Sequence, residues 1–187
     1  MELVVDAHIV CGFFKENVLQ IDSDLTESAI FLFNRVGAED RIYLDEGGQI
    51  ENEWRQLVGR EWFDIWLAEL LRNGHAVQIP VEPCQLLKRK LNKLGFPTGG
   101  SRDIWYIRTA KAIVDINDHR FPDRDTPIAF IISEDLDFHE PQLKSRCSRR
   151  RRIETLLLGR GSIVRYMHRY ERISINCIAK YREFIDK

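Results

Sequence analysis

Short apolar runs alternate along this chain with longer stretches of helical periodicity, and that alternation restricts the folds open to it. Residues 3–5 (Leu-Val-Val) and 128–133 read as buried strands. Residues 41–44 and 76–79 read as further short strands. Between them, residues 24–35, 49–72, 83–94 and 102–114 carry apolar side chains at helical spacing. Asp22, Ser23 or Asp24 is the expected cap of the first of these helices, and Gly37 its expected end. Residues 115–126 are polar and turn-rich, and Gly99-Gly100 reads as a turn. The alternation predicts an α/β fold around a mainly parallel sheet. Residues 164–170 and 173–185 fit either helix or strand, because periodicity does not separate the two there.

With 187 residues and 44% hydrophobic content, one domain with a real core is expected. No apolar run approaches a membrane span, and the opening Met-Glu-Leu-Val-Val-Asp has no basic leader segment. Cys11, Cys84, Cys147 and Cys177 are far apart in sequence, which predicts reduced thiols and a cytoplasmic protein rather than a disulfide framework.

The net charge of −1 hides an asymmetry. Residues 141–187 carry 13 Lys/Arg against 4 Asp/Glu, and residues 1–140 carry 15 against 25. A core over 1–140 and a basic C-terminal segment over 141–187, packed on that core or extending it, are therefore expected. The run Arg149, Arg150, Arg151 and Arg152 is a candidate phosphate contact, and equally a solvated helix face or a partner-binding patch.

Four carboxylates stand where apolar segments end or helices begin. Asp6 ends the first strand, Glu53 lies in the first turns of the stretch from residue 49, Asp103 opens Asp-Ile-Trp-Tyr-Ile, and Asp135 follows the strand at 128–133, with Asp137 two residues on. Each alone reads as an ordinary turn, cap or solvated residue. Together they suit a hard cation, because packed carboxylates repel one another and Mg²⁺ or Mn²⁺ prefers oxygen ligands. No Ser/His/Asp or Cys/His signature competes with this reading, and the histidines lack zinc-site spacing. Trp54, Trp62 and Trp66 recur at helical spacing and are expected in packing.

Four motifs in this order resemble the PIN-domain nucleases. They are Val4-Val5-Asp6-Ala7-His8; Ile42-Tyr43-Leu44-Asp45 through Glu53-Trp54; Ser101-Arg102-Asp103-Ile104-Trp105-Tyr106-Ile107; and Ile131-Ile132-Ser133-Glu134-Asp135-Leu136-Asp137-Phe138. The resemblance covers about residues 1–140 and is most distinctive in the last motif. It implies a three-layer α/β/α fold and a metal-dependent endoribonuclease. Asp6, Glu53, Asp103 and Asp135 would hold Mg²⁺ or Mn²⁺, Asp137 would be an additional carboxylate, and Ser133 would hydrogen-bond beside the cluster. His8 stands where the family often has Asn and is expected to contact Asp6 or substrate. The implied substrate is single-stranded or structured RNA. An antitoxin or defence partner protein and a homodimer are the partners the family suggests, in a toxin or host-defence setting. A non-catalytic PIN-like interaction module and a DNA-directed nuclease are the alternatives.

Overall fold

The computed structural model describes residues 1–98, 102–121, 123, 125–145 and 147–186. The expected turn at Gly99-Gly100 and the Ser101 of the third motif lie outside them. Five strands, β1 (Glu2–Val5), β2 (Arg41–Asp45), β3 (Ala76–Ile79), β4 (Ala129–Ile132) and β5 (Ile173–Asn176), form one sheet in the order β3-β2-β1-β4-β5. All four pairings are parallel. Helices flank the sheet in a three-layer α/β/α arrangement. The central strands β1 and β4 are buried almost throughout, as expected of parallel strands covered on both faces.

Local chemistry explains most of the element boundaries. Helix α1 (Ala7–Phe14) starts at Asp6 and runs into a π-helical turn, Lys15–Leu19. Helix α2 (Ala29–Arg35) starts five residues later than the periodicity of 24–35 suggests, and its cap is Ser28 rather than Asp22, Ser23 or Asp24. The cause is tertiary. The Thr26 amide donates to both carboxylate oxygens of Glu134, at 2.9 and 3.0 Å, which holds the preceding residues out of a helix.

The stretch 49–72 forms two helices, α3 (Gln49–Leu57) and α4 (Arg60–Arg72). Val58 is extended between them, and Gly59 lies against the Phe14 ring, where a Cβ would come within 3.3 Å. The break lets each helix bury its own side, Ile50 and Trp54 in α3 and Phe63 and Leu67 in α4. Asp45, at the end of β2, accepts from the Gln49 and Ile50 amides at 2.9 Å each and so fixes the start of α3. The expected tryptophan packing is present: Trp62 stacks on Trp66 with centroids 5.1 Å apart, and Trp54 lies 6.1 Å from Trp66.

Helix α5 (Gln85–Lys93) and helix α6 (Ile104–Asn117) follow. Helix α6 packs across β1, β2 and β4, and continues past residue 114 into the stretch expected to be turn-rich, which then takes a 3₁₀ turn at Asp118–Arg120. After β4 come α7 (Leu136–His139), α8 (Arg149–Leu158), α9 (Ser162–Glu171) and, beyond β5, α10 (Ile178–Ile185). Residues 173–185 thus divide into a strand and a helix. Ile173 and Ile175 point into the core while β5 completes the exposed edge of β4. Residues 141–187 therefore extend the sheet itself, and Tyr181 of α10 reaches back to donate to the buried Asp40.

Candidate active site

The strand order places the chemistry. From β1 the chain moves outward to β2 and β3, and from β4 it moves the opposite way to β5. Adjacent strands whose connections diverge leave a crevice at their carboxyl ends, where open parallel sheets bind ligands. Asp6 and Asp135 follow the two strands that border this crevice. Val5 pairs with Ile132, and the Asp6 amide donates to the Ile132 carbonyl at 2.9 Å. Ser133 couples the two acids: its hydroxyl donates to Asp6 and accepts from the Asp135 amide at 3.0 Å. Both acids also cap helices, Asp6 through the His8 amide and Asp135 through the Asp137 amide. The capping and clustering readings are therefore compatible at the same residues.

Glu53 reaches the crevice from α3. It is half-buried, and Tyr106 of α6 donates to it at 3.0 Å while accepting from the Ala7 amide at 3.2 Å. Tyr106 thereby ties α1, α3 and α6 together. Burial pushes the Glu53 carboxyl above its ordinary range, and Asp6 and Asp103 add to that against the opposing hydrogen bond from Tyr106. Asp103 stands at the start of α6, close enough for its charge to act on Glu53. Glu51 is occupied elsewhere, paired with Arg55 at 2.7 Å and accepting from Gln78.

Asp137 is buried beside Asp135, and one ammonium serves both. Lys144 Nζ lies 2.9 Å from Asp135 Oδ2 and 2.5 Å from Asp137 Oδ2. His8 contacts Asp6, as one branch of its expectation had it, with Nδ1 3.7 Å from the carboxylate. The Asp6 hydrogen bond raises the imidazole pKa above its ordinary value against the effect of burial, and the charges of Asp135 and Glu53 act in the same direction. His139 is buried and bonds through Nε2 to the Ser133 carbonyl at 3.0 Å. Desolvation lowers its pKa, so it supports the Ser133 backbone as a neutral ring.

The donor set consists of carboxylates, which suits Mg²⁺ or Mn²⁺ rather than zinc. Among the described residues, no three are drawn together tightly enough to form a finished metal cage. Glu53 feels Asp6 and Asp103, whereas Asp135 and Asp137 are clamped by Lys144. The chemistry of the set fits a divalent cation, with Lys144 holding a positive charge against two of its members.

A cavity of about 300 Å³ adjoins the cluster, with His8, Asp135, Lys144 and Arg152 in its lining. A larger hollow of about 740 Å³ lies over Glu16, Asp22 and Asp24 and includes none of the clustered acids. The four arginines separate in space. Arg149 pairs with Asp24 at 2.7 Å, Arg150 pairs with Glu154 at 3.0 Å, and Arg151 is exposed. Arg152 is half-buried and donates to the Glu134 carbonyl at 3.1 Å. Of the run, Arg152 alone is in the lining of the cavity beside Asp135.

The acidic residues at the end of α6 and in the loop after it make local contacts. Asp115 pairs with Lys111, Asp118 pairs with Arg172, and Asp123 accepts from the Asp125 amide. Sequence reasoning missed Tyr106 and Lys144. Tyr106 stands in the third motif but carried no role of its own there. Lys144 carried no local signal.

Comparison of the chain with family models, curated proteins and solved structures returned no match. The fold and site define a three-layer α/β protein with clustered acids at the switch point of a parallel sheet.

Proposed function

We propose that the protein is a metal-dependent endoribonuclease of the PIN-like kind, hydrolysing RNA phosphodiester bonds with Mg²⁺ or Mn²⁺. The observation that carries this reading is the meeting of Asp6 and Asp135 through Ser133 at the switch point, with Glu53 brought in by α3. Asp6, Glu53, Asp103 and Asp135 would hold the cation, with Asp137 beside them. When bound, the cation supplies the Lewis acidity that phosphodiester hydrolysis needs. The chain's own groups do the positioning. Ser133 fixes the spacing of Asp6 and Asp135, Tyr106 fixes Glu53, and His8 stands beside Asp6. A cytoplasmic setting accords with Cys11, Cys84, Cys147 and Cys177, all free thiols. A toxin restrained by an antitoxin, or a host-defence effector, is the biological role this reading suggests; an adjoining antitoxin gene would support it.

The test is incubation with labelled RNA and labelled single-stranded DNA, with Mn²⁺ and with chelator. Cleavage of RNA that stops on chelation is expected. Cleavage that survives chelation would overturn the metal mechanism, and preferential cutting of DNA would redirect the substrate. One observation favours a second reading, a non-catalytic PIN-like module: the ammonium of Lys144 already pairs with both Asp135 and Asp137 and offsets one of their two charges. Intact RNA under every metal condition supports that module.

The arginines make a separate prediction. Replacing Arg152 with Ala is expected to weaken RNA binding more than replacing Arg149 and Arg150 together, because those two are engaged in surface ion pairs. Losing one phosphate contact should lower the salt-dependence slope by about one. An Arg152 variant with unchanged affinity and slope, measured by fluorescence anisotropy, would remove this residue from the RNA path.

A further inference from the structure

Lys144 makes the most concentrated charge contact in the candidate site. It stands in the segment after α7, and its ammonium touches the Oδ2 atoms of both Asp135 and Asp137. The other oxygen of Asp135, Oδ1, accepts from the Asp137 amide in the local capping network. The Asp135 oxygen left for a ligand is thus the one Lys144 covers. Its side chain is half exposed, so it has room to leave along the adjoining cavity, whose lining it shares with His8, Asp135 and Arg152. The lysine end of the pair is open to solvent although both acids are largely buried, and a long flexible lysine gains rotamer freedom on release.

We propose that Lys144 is an internal counterion of the metal site, which a divalent cation must displace from Asp135 and Asp137. This rests on the metal-dependent reading above. The ammonium offsets one of the two negative charges when no cation is present and competes for the oxygens it covers when one arrives. The site is therefore stable without metal and weaker for metal than its carboxylate count suggests. On displacement, Lys144 remains in the cavity beside Asp135 as a free cation facing the region where substrate phosphate would lie.

The test is Mn²⁺ titration of chelator-treated full-length protein by calorimetry, with wild type, Lys144→Met and Lys144→Arg. Methionine keeps much of the stem and removes the charge, whereas arginine keeps the charge. Lys144→Met is expected to bind Mn²⁺ about fivefold or more tightly than wild type, and Lys144→Arg within about twofold of it. The melting temperature of Lys144→Met should rise more on Mn²⁺ addition than that of wild type, which supplies a second readout if calorimetric heats are small. Equal or weaker Mn²⁺ binding by Lys144→Met, with wild type binding normally, overturns the counterion role alone. Absence of Mn²⁺ binding and of any thermal shift in all three proteins overturns both the counterion role and the metal-dependent reading.

Discussion

Asp6→Asn is expected to lower Mn²⁺-dependent RNA cleavage by about a thousandfold, since charge stabilisation by a bound cation supplies several kcal/mol of the barrier reduction and each 1.36 kcal/mol is tenfold. Asp6 is the sharpest position for this substitution because its two oxygens have separate duties. One accepts from the His8 amide at the start of α1, and the other takes the Ser133 hydroxyl. Asparagine can keep the first contact, and its amide can donate to the serine oxygen in place of the second. The fold should therefore survive, with a melting temperature close to wild type in chelator. Removing one negative charge from a crowded acidic cluster also relieves repulsion with Glu53, whose carboxyl burial and Asp6 already push upward. Cleavage by Asp6→Asn within about tenfold of wild type would remove Asp6 from the reaction.

Gly161→Ala is expected to destabilise the protein by about 3 kcal/mol, through a clash that the packed backbone cannot relieve. A Cβ at Gly161 would fall 1.9 Å from the His139 carbonyl oxygen and 2.5 Å from its carbon. Both are backbone atoms, so no rotamer change makes room. Gly161 has an ordinary extended conformation, and the effect is therefore steric rather than torsional. The melting temperature should fall by roughly 6–12 °C. Gly159 provides the contrast. It has φ of +57° at the end of α8, but a Cβ there meets nothing within 4 Å, so Gly159→Ala should cost only about 1 kcal/mol. A fall of under about 2 °C for Gly161→Ala would show that α9 can move away from α7 freely. The clash matters for the site as well, since His139 ends the helix that Asp135 begins, and its ring holds the Ser133 carbonyl.

The candidate site was partly legible because its acids sit at element boundaries. A carboxylate ending a buried strand shows in sequence as an apolar run followed by Asp, and Asp6 and Asp135 both have that form. Glu51 lies two residues before Glu53 in the same motif, and the Glu-Trp context of Glu53 separates the two only in part. On a helix two residues apart, they point in different directions and meet different neighbours. Tyr106 meets Glu53, while Arg55 and Gln78 hold Glu51. Lys144 was illegible for a different reason. It is an ordinary surface-type residue in a polar segment, and its role depends on a turn that brings it back onto acids seven and nine residues earlier.

The sequence by itself determined the α/β class, the parallel pairing and the strand-end positions of Asp6 and Asp135, because apolar periodicity and turn chemistry are local properties. The tertiary structure alone decided the break inside 49–72, the late start of α2, the strand at residues 173–176, the dispersal of the four arginines and the ammonium between Asp135 and Asp137. Each of these depends on a partner from a distant segment or on the angle at which one element meets the next: Phe14 against Gly59, Glu134 on Thr26, β4 beside β5, Asp24 on Arg149 and Lys144 folded back on α7. Local pattern carries the direction of a side chain relative to its own helix or strand, and the identity of what it meets there is set only when the layers pack.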